Sequence, residues 1–518
     1  MKFNTGRFLK NAAIMTVTSL LLRLAGMFFR VYLANRIGSE GMGLYQLIFS
    51  VYMLAATFAS TGICTAVTRL TADALESGSG CAVKRILLRS VAVTTAAAAV
   101  STAAVYFCSD IIAIYWIKDA RAAISLKILS FSLPFMGVSS CIRGYFIANR
   151  RVLTPSNSQL FEQCVRMAVI IAIIGASCER GLEYSCAAVL IGDTVAEAAS
   201  CGFMYIGYLL HKRRLGDRFG RGCDMRGVTA KLMKIAVPIT AGRYLTTALR
   251  TVESLLVPDR LSIFNGRREL SVAQYGDLKG MAMPVLFFPA SFLTALSTLL
   301  VPEFSGAFAA GDKEQIKRSV NRCVGVTLSA SIIIAALFMV FGDDIGAAFY
   351  GEGDVGFYLR VLAPLVPLMY LESVVTGCLN GLNQQVRSLA YNVADSVTRI
   401  ALIWFLLPRM GMQGFILVMM ISNVLTSVLC LHRLLKVSEV KFRYGEWVIK
   451  PAVLAALSAG AAYLVSLGLT GMDYIPRAVT EAAVGGAVYA LLTLASSEDY
   501  RYIMKTQLKS CRSSKRSA

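Results

Sequence analysis

Apolar stretches of about 20 residues, the length of a membrane-spanning helix, follow one another along almost all of this 518-residue chain. Because lipid offers the backbone no hydrogen-bond partner, such stretches fold as helices. The chain is 56% hydrophobic and only 16% charged, a composition typical of membrane proteins. We therefore expect an all-α polytopic membrane protein with about 14 transmembrane helices. The spans are predicted at 11–34, 44–70, 86–108, 122–147, 158–177, 185–210, 233–257, 281–301, 320–341, 356–380, 387–407, 412–432, 448–469 and 475–495.

Lysine and arginine are distributed unevenly between the two sides of the membrane. With the N-terminus inside, most of the 52 basic residues fall on inner segments or at the span ends that adjoin them, and far fewer fall on outer segments. Basic residues accumulate on the cytoplasmic side of such proteins. We therefore predict a multi-pass protein of the cytoplasmic membrane with both termini in the cytoplasm. The net charge of +21 reflects this bias, so it does not indicate a nucleic-acid partner, and the basic C-terminal tail is expected to lie against membrane lipids.

The chain also contains an internal repeat of six helices. At an offset of 233 residues, five positions match, namely Pro134 with Pro367, Gly144 with Gly377, Glu162 with Asp395, Arg166 with Arg399, and Gly181 with Gly414. Since six is an even number, both units have the same orientation in the membrane. The predicted organisation is an N-lobe over 1–210, a basic cytoplasmic linker over 211–232, a C-lobe over 233–435, spans 13 and 14 within 436–496, and a basic cytoplasmic tail over 497–518.

Four arginines within the first and seventh spans require an explanation. Arg23 and Arg30 are seven residues apart, and Arg243 and Arg250 repeat this spacing, which places each pair on one helix face. A charge at the centre of a bilayer costs about 2.5–3.5 kcal/mol or more. Three of the four have no acidic residue three or four positions away, whereas Arg250 has Glu253. Because a guanidinium offers a planar set of donors, the four arginines predict a binding site for a phosphate or diphosphate. Pairing with acidic residues of other helices is the alternative.

The other charged residues within spans have simpler interpretations. Arg166 and Arg399 each follow an acidic residue by four positions, Glu162 and Asp395, so we expect two structural ion pairs within helices. Lysine and arginine residues near the ends of a span can extend their long side chains to the membrane–water interface. We assign Arg69, Lys127, Arg143 and Arg360 to this group.

Asp193 and Glu197 lie four residues apart in the sixth span and have two interpretations. They are candidates for binding a coupling cation, a proton or Na⁺, and Glu253 of the seventh span is a third candidate. They are equally the candidate partners of the intramembrane arginines. The sequence does not decide between these roles.

The sequence contains no pattern that indicates an enzyme. No phosphate-binding G-x-x-x-x-G-K-[ST] loop is present, and the 13 cysteines have no metal-ligand spacing. The two histidines lie at helix ends and suggest no catalytic pair. We therefore expect no catalytic residues, no cofactor and no metal.

The first two spans carry a family resemblance. The run Arg23-Leu-Ala-Gly-Met-Phe-Phe-Arg30 continues to Leu47 and is followed by Ser60-Thr-Gly-Ile63. It resembles the stage V sporulation protein B-like polysaccharide transport proteins of the multidrug/oligosaccharidyl-lipid/polysaccharide exporter superfamily, near the peptidoglycan lipid II flippases. The resemblance implies two six-helix lobes in a V with a central cavity, plus two C-terminal helices. It also implies that Arg23 and Arg30, and less directly Arg243 and Arg250, line that cavity.

The resemblance implies a flippase or exporter as the function. The substrate would be a lipid-linked oligosaccharide or lipid II-like precursor on undecaprenyl diphosphate, moved by alternating access for spore cortex or cell-wall synthesis. A cation-coupled multidrug exporter of the same superfamily is one alternative, although its organic cations favour acidic and aromatic linings. A non-transporting scaffold for cell-wall synthesis is another, although it gives buried arginines no purpose.

Overall fold

The structure, a computed structural model, describes residues 5–77, 80–215, 227–351, 354–469 and 473–496. Almost all of these residues are helical, and no β-strand occurs among them. The described helices are α1 (Thr5–Glu76), α2 (Gly80–Ile111), α3 (Ala122–Ser130), α4 (Ser132–Ala148), α5 (Leu153–Cys178), α6 (Leu182–Leu215), α7 (Val228–Asn265), α8 (Arg268–Tyr275), α9 (Met283–Phe287), α10 (Ala290–Ala310), α11 (Lys313–Tyr350), α12 (Val355–Leu362), α13 (Val366–Gly381), α14 (Gln385–Ser438), α15 (Lys450–Ser466) and α16 (Tyr474–Ser496).

The predicted all-α membrane fold is confirmed. Each predicted span falls on helical segments, and within the described ranges ten continuous helical stretches are long and apolar enough to cross a membrane. Two of the ten, Thr18–Glu76 with 59 residues and Gln385–Ser438 with 54, are long enough to hold two spans each. The charged helix α7 is not among the ten, because its arginines and acids lower its hydropathy.

Glycines with positive φ divide the two longest helices. Gly38 in α1 has φ 70° and ψ −179°, and Gly411 in α14 has φ 58° and ψ −137°. Residues other than glycine rarely adopt such backbone angles. Each glycine therefore joins two successive spans through one bent residue, where a loop would be the usual connection.

A helix break recurs at repeat-related positions. The fourth predicted span is interrupted at Phe131, and Pro134 is the third residue of the helix that follows. The tenth is interrupted by a 3₁₀ turn, Ala363–Leu365, and Pro367 lies in the first turn of the helix that follows. Proline lacks the N–H that an interior helical residue donates, so a matched proline marks each break.

The chain forms two compact units. One comprises Met1–Met281 with Asn392–Met419, and the other comprises Ala282–Tyr391 with Met420–Ala518. The lobes at 1–210 and 233–435 stay a prediction. Within the predicted linker, residues 216–226 lie outside the described residues, as does the whole predicted tail.

Each unit has its own apolar core. In the first, Ile86, Tyr145, Phe146, Met204 and Leu232 are among the buried side chains that pack together from α2, α4, α6 and α7. In the second, the buried core includes residues of α11, α13, α14 and the segment before α15, namely Val324, Leu371, Leu379, Cys430 and Trp447. These cores hold the helices that carry the charged side chains described next.

Charged side chains attach the connection between α2 and α3 to α1 and α7. Arg121 Nη2 lies 2.6 Å from Glu40 Oε1 and 2.7 Å from Asp119 Oδ2, and Lys118 pairs with Asp259. The hydrogen bonds to Asp119, and then to Glu40, raise the pKa of Arg121 above its ordinary value, because both carboxylates favour the charged guanidinium. These contacts gather at the predicted outer ends of the helices.

Candidate functional site

The four arginines of the first and seventh predicted spans lie on two helices. Arg23 and Arg30 are on α1 before Gly38, and Arg243 and Arg250 are on α7. All four side chains are exposed at the protein surface. In the part of the chain that the structure describes, Arg30, Arg243 and Arg250 form no ion pair with a carboxylate. Three guanidinium groups therefore keep their charge available for a ligand.

Helix α7 is fixed against the part of α1 that follows Gly38. Thr251 Oγ1 donates a hydrogen bond of 3.0 Å to the carbonyl of Ser50, and the N–H of Gly62 donates one of 3.1 Å to Thr240 Oγ1. A Cβ at Gly62 would overlap the α7 backbone at Ala236, so the two helices are in close backbone contact. This packing anchors the helix from which Arg243 and Arg250 extend.

Arg30 lines a cavity of about 230 Å³ in the first unit. The cavity lies among α1, α3, α4, α5 and α6. Its wall includes the carboxylates Asp193 and Glu197 and the aromatic rings of Tyr45 and Phe49. The structure thus brings one arginine of the predicted diphosphate site to the two carboxylates predicted for ion coupling.

A second cavity of about 270 Å³ adjoins the first and shares Glu197 with it. Its lining includes Arg143, Glu162 and Gln159. Arg143 was expected at the membrane interface because it lies near a helix end. The structure instead places it in the wall of this cavity, where charged and amide groups of α4, α5 and α6 face one another.

Arg166 lies between the two cavities and contacts acceptors from two helices. Its Nη2 donates to Glu162 Oε1 at 2.8 Å, and its Nη1 donates to Gln163 Oε1 at 2.8 Å, both on α5. Its Nε lies 2.6 Å from Asp193 Oδ1 on α6. The predicted pair with Glu162 is therefore present, and Asp193 completes it from the neighbouring helix.

Arg399 has a parallel arrangement. Its Nη2 donates to Asp395 Oδ2 at 2.9 Å, the predicted pair within α14, and its Nη1 lies 3.2 Å from Glu253 Oε1 on α7. Lys279 Nζ lies 3.8 Å from the same Glu253 oxygen. Glu253, which the sequence set beside Arg250, is thus held between two other cations.

The two arrangements share a plan, since each repeat-related arginine bridges an acid of its own helix and an acid of another. The acids contributed by the other helix, Asp193 and Glu253, do not occupy equivalent positions in the two halves. The position 233 residues after Asp193 is Thr426. The duplication therefore predicted the first acid of each cluster but not the second.

Sequence reasoning missed Lys279 and Arg143 as members of these clusters. The predicted span 8 begins at residue 281, which places Lys279 in an outer segment. In the structure, helix continues from α8 through the π-helical segment Gly276–Ala282, so Lys279 is helical and its side chain is only 23% exposed. Arg23, Arg243 and Arg250 line neither cavity.

Comparison with known proteins gives full-length similarities. The chain is 25% identical over 509 residues to stage V sporulation protein B of Bacillus subtilis (strain 168), covering 97% of each protein. It is 20% identical to the lipid II flippase MurJ of the same organism, covering 94% of each. Residues 265–405 match the MatE family.

Solved structures share the fold. The lipid II flippase MurJ in an inward closed conformation superposes with a TM-score of 0.73 at 14% identity, covering 95% of this chain and all of that one. An inward-facing multidrug resistance MATE family transporter of the MOP superfamily gives 0.64 at 11% identity, covering 83% and 99%.

Fold and sequence together define the class: a multi-pass membrane protein with the helical fold that the flippase and transporter structures share. Residues 8–308, more than half of the chain, match the model of the polysaccharide biosynthesis protein family. The chain belongs to the polysaccharide biosynthesis protein family.

Proposed function

We propose that the protein moves an undecaprenyl-diphosphate-linked saccharide or peptidoglycan precursor from the inner to the outer leaflet of the cytoplasmic membrane. The similarity to stage V sporulation protein B favours a role in spore cortex or cell-wall synthesis. The lipid II flippase among the relatives supports a lipid-linked substrate. Both termini lie in the cytoplasm, and lobes 1–210 and 233–435 alternate access to a central cavity.

The observation that carries this proposal is Arg30. It is an exposed cation without a carboxylate partner in the described residues, on a predicted span, and it lines a cavity whose wall also carries carboxylates and aromatic rings. A diphosphate offers oxygens that suit the guanidinium fork. Arg23 on the same face and Arg243 and Arg250 on α7 complete the proposed substrate-binding set.

Asp193, Glu197 and Glu253 are the proposed coupling carboxylates. Net flow toward the outer leaflet needs a coupled ion, H⁺ or Na⁺, or consumption of the product there. Asp193 and Glu197 share the cavity with Arg30, so an ion bound at these carboxylates would change the field at the diphosphate. An effector shifts an equilibrium only through different affinities for the two states.

Reconstituted vesicles provide the test. The protein with Arg23→Ala and Arg30→Ala is expected to lose most translocation of the lipid-linked precursor, since two guanidinium contacts to phosphate are removed. Arg36→Ala is the control, because Arg36 is exposed on the same helix and lines neither cavity. Unchanged translocation by a well-folded double variant would show that these arginines are not needed to bind the substrate.

A cation-coupled multidrug exporter is the second candidate. The match of residues 265–405 to the MatE family favours it, as do the carboxylates and aromatic rings that share a cavity. Vesicles loaded with a cationic dye distinguish the two functions. Proton-dependent efflux that Asp193→Asn abolishes would support the exporter, and absence of efflux with active precursor translocation would reject it.

A further inference from the structure

The two adjoining cavities of the first unit have more polar groups than their ion pairs use. Arg166 forms ion pairs with both Glu162 and Asp193. Glu197 and Arg143 form no ion pair within the described residues. Asp193 is 6% exposed and interacts with the Tyr45 hydroxyl, but its Oδ2 has no partner within hydrogen-bond distance in the part of the chain described. The Nε of Arg143 is buried and equally unpartnered there.

Buried polar groups without partners indicate a site that water or a ligand completes. Here an acceptor, Asp193 Oδ2, and a donor, Arg143 Nε, both need partners. A hydroxyl group serves either kind, because it donates one hydrogen and accepts through its lone pairs. A molecule with several hydroxyl groups therefore matches these cavities.

The charges of the lining also favour a neutral ligand. Across the two cavities, three arginines stand against three carboxylates, namely Arg30, Arg143, Arg166, Glu162, Asp193 and Glu197. An ion is therefore attracted at single groups such as Arg30 or Glu197, whereas the space between them suits a neutral part of the substrate. The balance of charges leaves directional hydrogen bonds as the source of affinity.

An aromatic row forms one wall of the cavity that Arg30 lines. Tyr45, Phe49 and Tyr52 lie at spacings of four and three residues on α1, with ring centroids 5.8 and 5.9 Å apart. Rings with electron-rich faces contact the C–H groups of a saccharide ring favourably. Ser132 Oγ donates to the Tyr52 hydroxyl at 2.8 Å, which fixes the last ring of the row.

We propose that these two cavities hold the saccharide that is attached to the diphosphate, with Arg30 at the junction between the two parts of the substrate. This inference rests on the proposed function and extends it by locating the sugar within the first unit. The sugar ring lies against Tyr45 and Phe49. Its hydroxyl groups contact Gln163, Asp193 and Glu197, which line the same cavity.

Two lipids separate sugar recognition from diphosphate recognition. Binding of undecaprenyl diphosphate and of lipid II, which adds a disaccharide-peptide, is measured on the full chain in nanodiscs. The wild-type protein is expected to bind lipid II at least about tenfold more tightly, the equivalent of one or two good hydrogen bonds. The combined variant Phe49→Leu, Gln163→Leu is expected to bind both lipids about equally, with undecaprenyl diphosphate unaffected.

Matched variants control for folding and for chemistry. Phe58→Leu changes an aromatic residue of the same helix that is 52% exposed and lines neither cavity, so it should retain the preference. Phe49→Tyr keeps the ring and should retain it as well. Arg30→Ala should weaken binding of both lipids alike.

The outcomes distinguish this inference from the function on which it rests. A wild-type protein that binds both lipids equally, or a Phe49→Leu, Gln163→Leu variant that weakens both equally, overturns the saccharide site while diphosphate binding stands. Selective loss of lipid II binding supports the site, even if Arg30→Ala has no effect and the arginine role fails. Binding of neither lipid by wild-type protein overturns both.

Discussion

At the scale of single residues, Arg166 shows how a charge is retained inside a membrane protein. Its guanidinium contacts Glu162 and Gln163 on α5 and Asp193 on α6. A buried cation is costly unless opposite charges and acceptors surround it. The contacts that neutralise Arg166 also fix α5 to α6, so one side chain has both an electrostatic and a packing role.

Removing this guanidinium should destabilise the protein. Arg166→Ala leaves Asp193 and Glu162 without their partner, a change that costs about 3–5 kcal/mol for buried pairs. We expect a clearly lower unfolding temperature in detergent. Arg399→Ala removes one partner each from Asp395 and Glu253 and should have a smaller effect, because Lys279 remains beside Glu253. Arg243→Ala is the control, because Arg243 is exposed and without an ion pair in the described chain. Equal unfolding temperatures for Arg166→Ala and Arg243→Ala would contradict this account.

At the scale of helices, glycine decides where two long helices bend and where others approach closely. Gly38 and Gly411 have positive φ, and Gly276 lies so near the backbone of α1 that an added Cβ would overlap the carbonyl of Ser39. Bending and close approach both depend on the missing side chain. Substitutions at these positions therefore test the helix geometry directly.

Gly38→Ala tests the bend in α1. Nothing lies within 4 Å of an added Cβ, so the expected penalty of about 1–3 kcal/mol comes from backbone strain alone. Gly202→Ala in α6 is the matched control, since it also has open space but no positive φ, and it should be neutral or stabilising. Thermal unfolding of the two variants measures the difference, and equal stability would show that the bend does not need glycine.

Gly276→Ala tests the close contact between α1 and the segment after α8. The added methyl group should force the two apart and expose backbone amides around residues 39–43. Hydrogen–deuterium exchange of that region is expected to rise relative to wild type and to Gly202→Ala. Unchanged exchange in folded Gly276→Ala protein would mean that the helices accommodate the methyl group.

At the scale of the whole molecule, the predicted topology makes a direct prediction. Both termini should face the cytoplasm, because basic residues concentrate on that side. Green fluorescent protein fused to the C-terminus should fluoresce, and alkaline phosphatase fused there should be inactive. Fusion of the same reporters after residue 351, in a predicted outer loop, should give the reverse result. Active phosphatase at the C-terminus would invert the proposed direction of transport.

The sequence predicted what depends on local pattern and periodicity. Apolar length marked the spans, and the four-residue spacing marked the pairs Glu162–Arg166 and Asp395–Arg399. It could not show that Asp193 joins Arg166 or that Lys279 reaches Glu253, because these partners are 27 and 26 residues apart and meet only through helix packing. The continuity of α1 through Gly38 was equally hidden, since a glycine between two apolar runs is typical of a loop.

The ammonium group of Lys279 has a consequence for the energetics of transport. A coupling ion performs work because it enters from one side and leaves on the other, whereas a lysine remains on the chain through every cycle. With Lys279 and Arg399 beside it, Glu253 already has a resident positive charge. A gradient can then act at Glu253 only if that charge is first displaced. The same argument applies to Asp193 beside Arg166. Glu197, which forms no ion pair within the described residues, would then set the stoichiometry of any coupled ion, and one such group limits the steepness of the leaflet gradient that this protein can maintain.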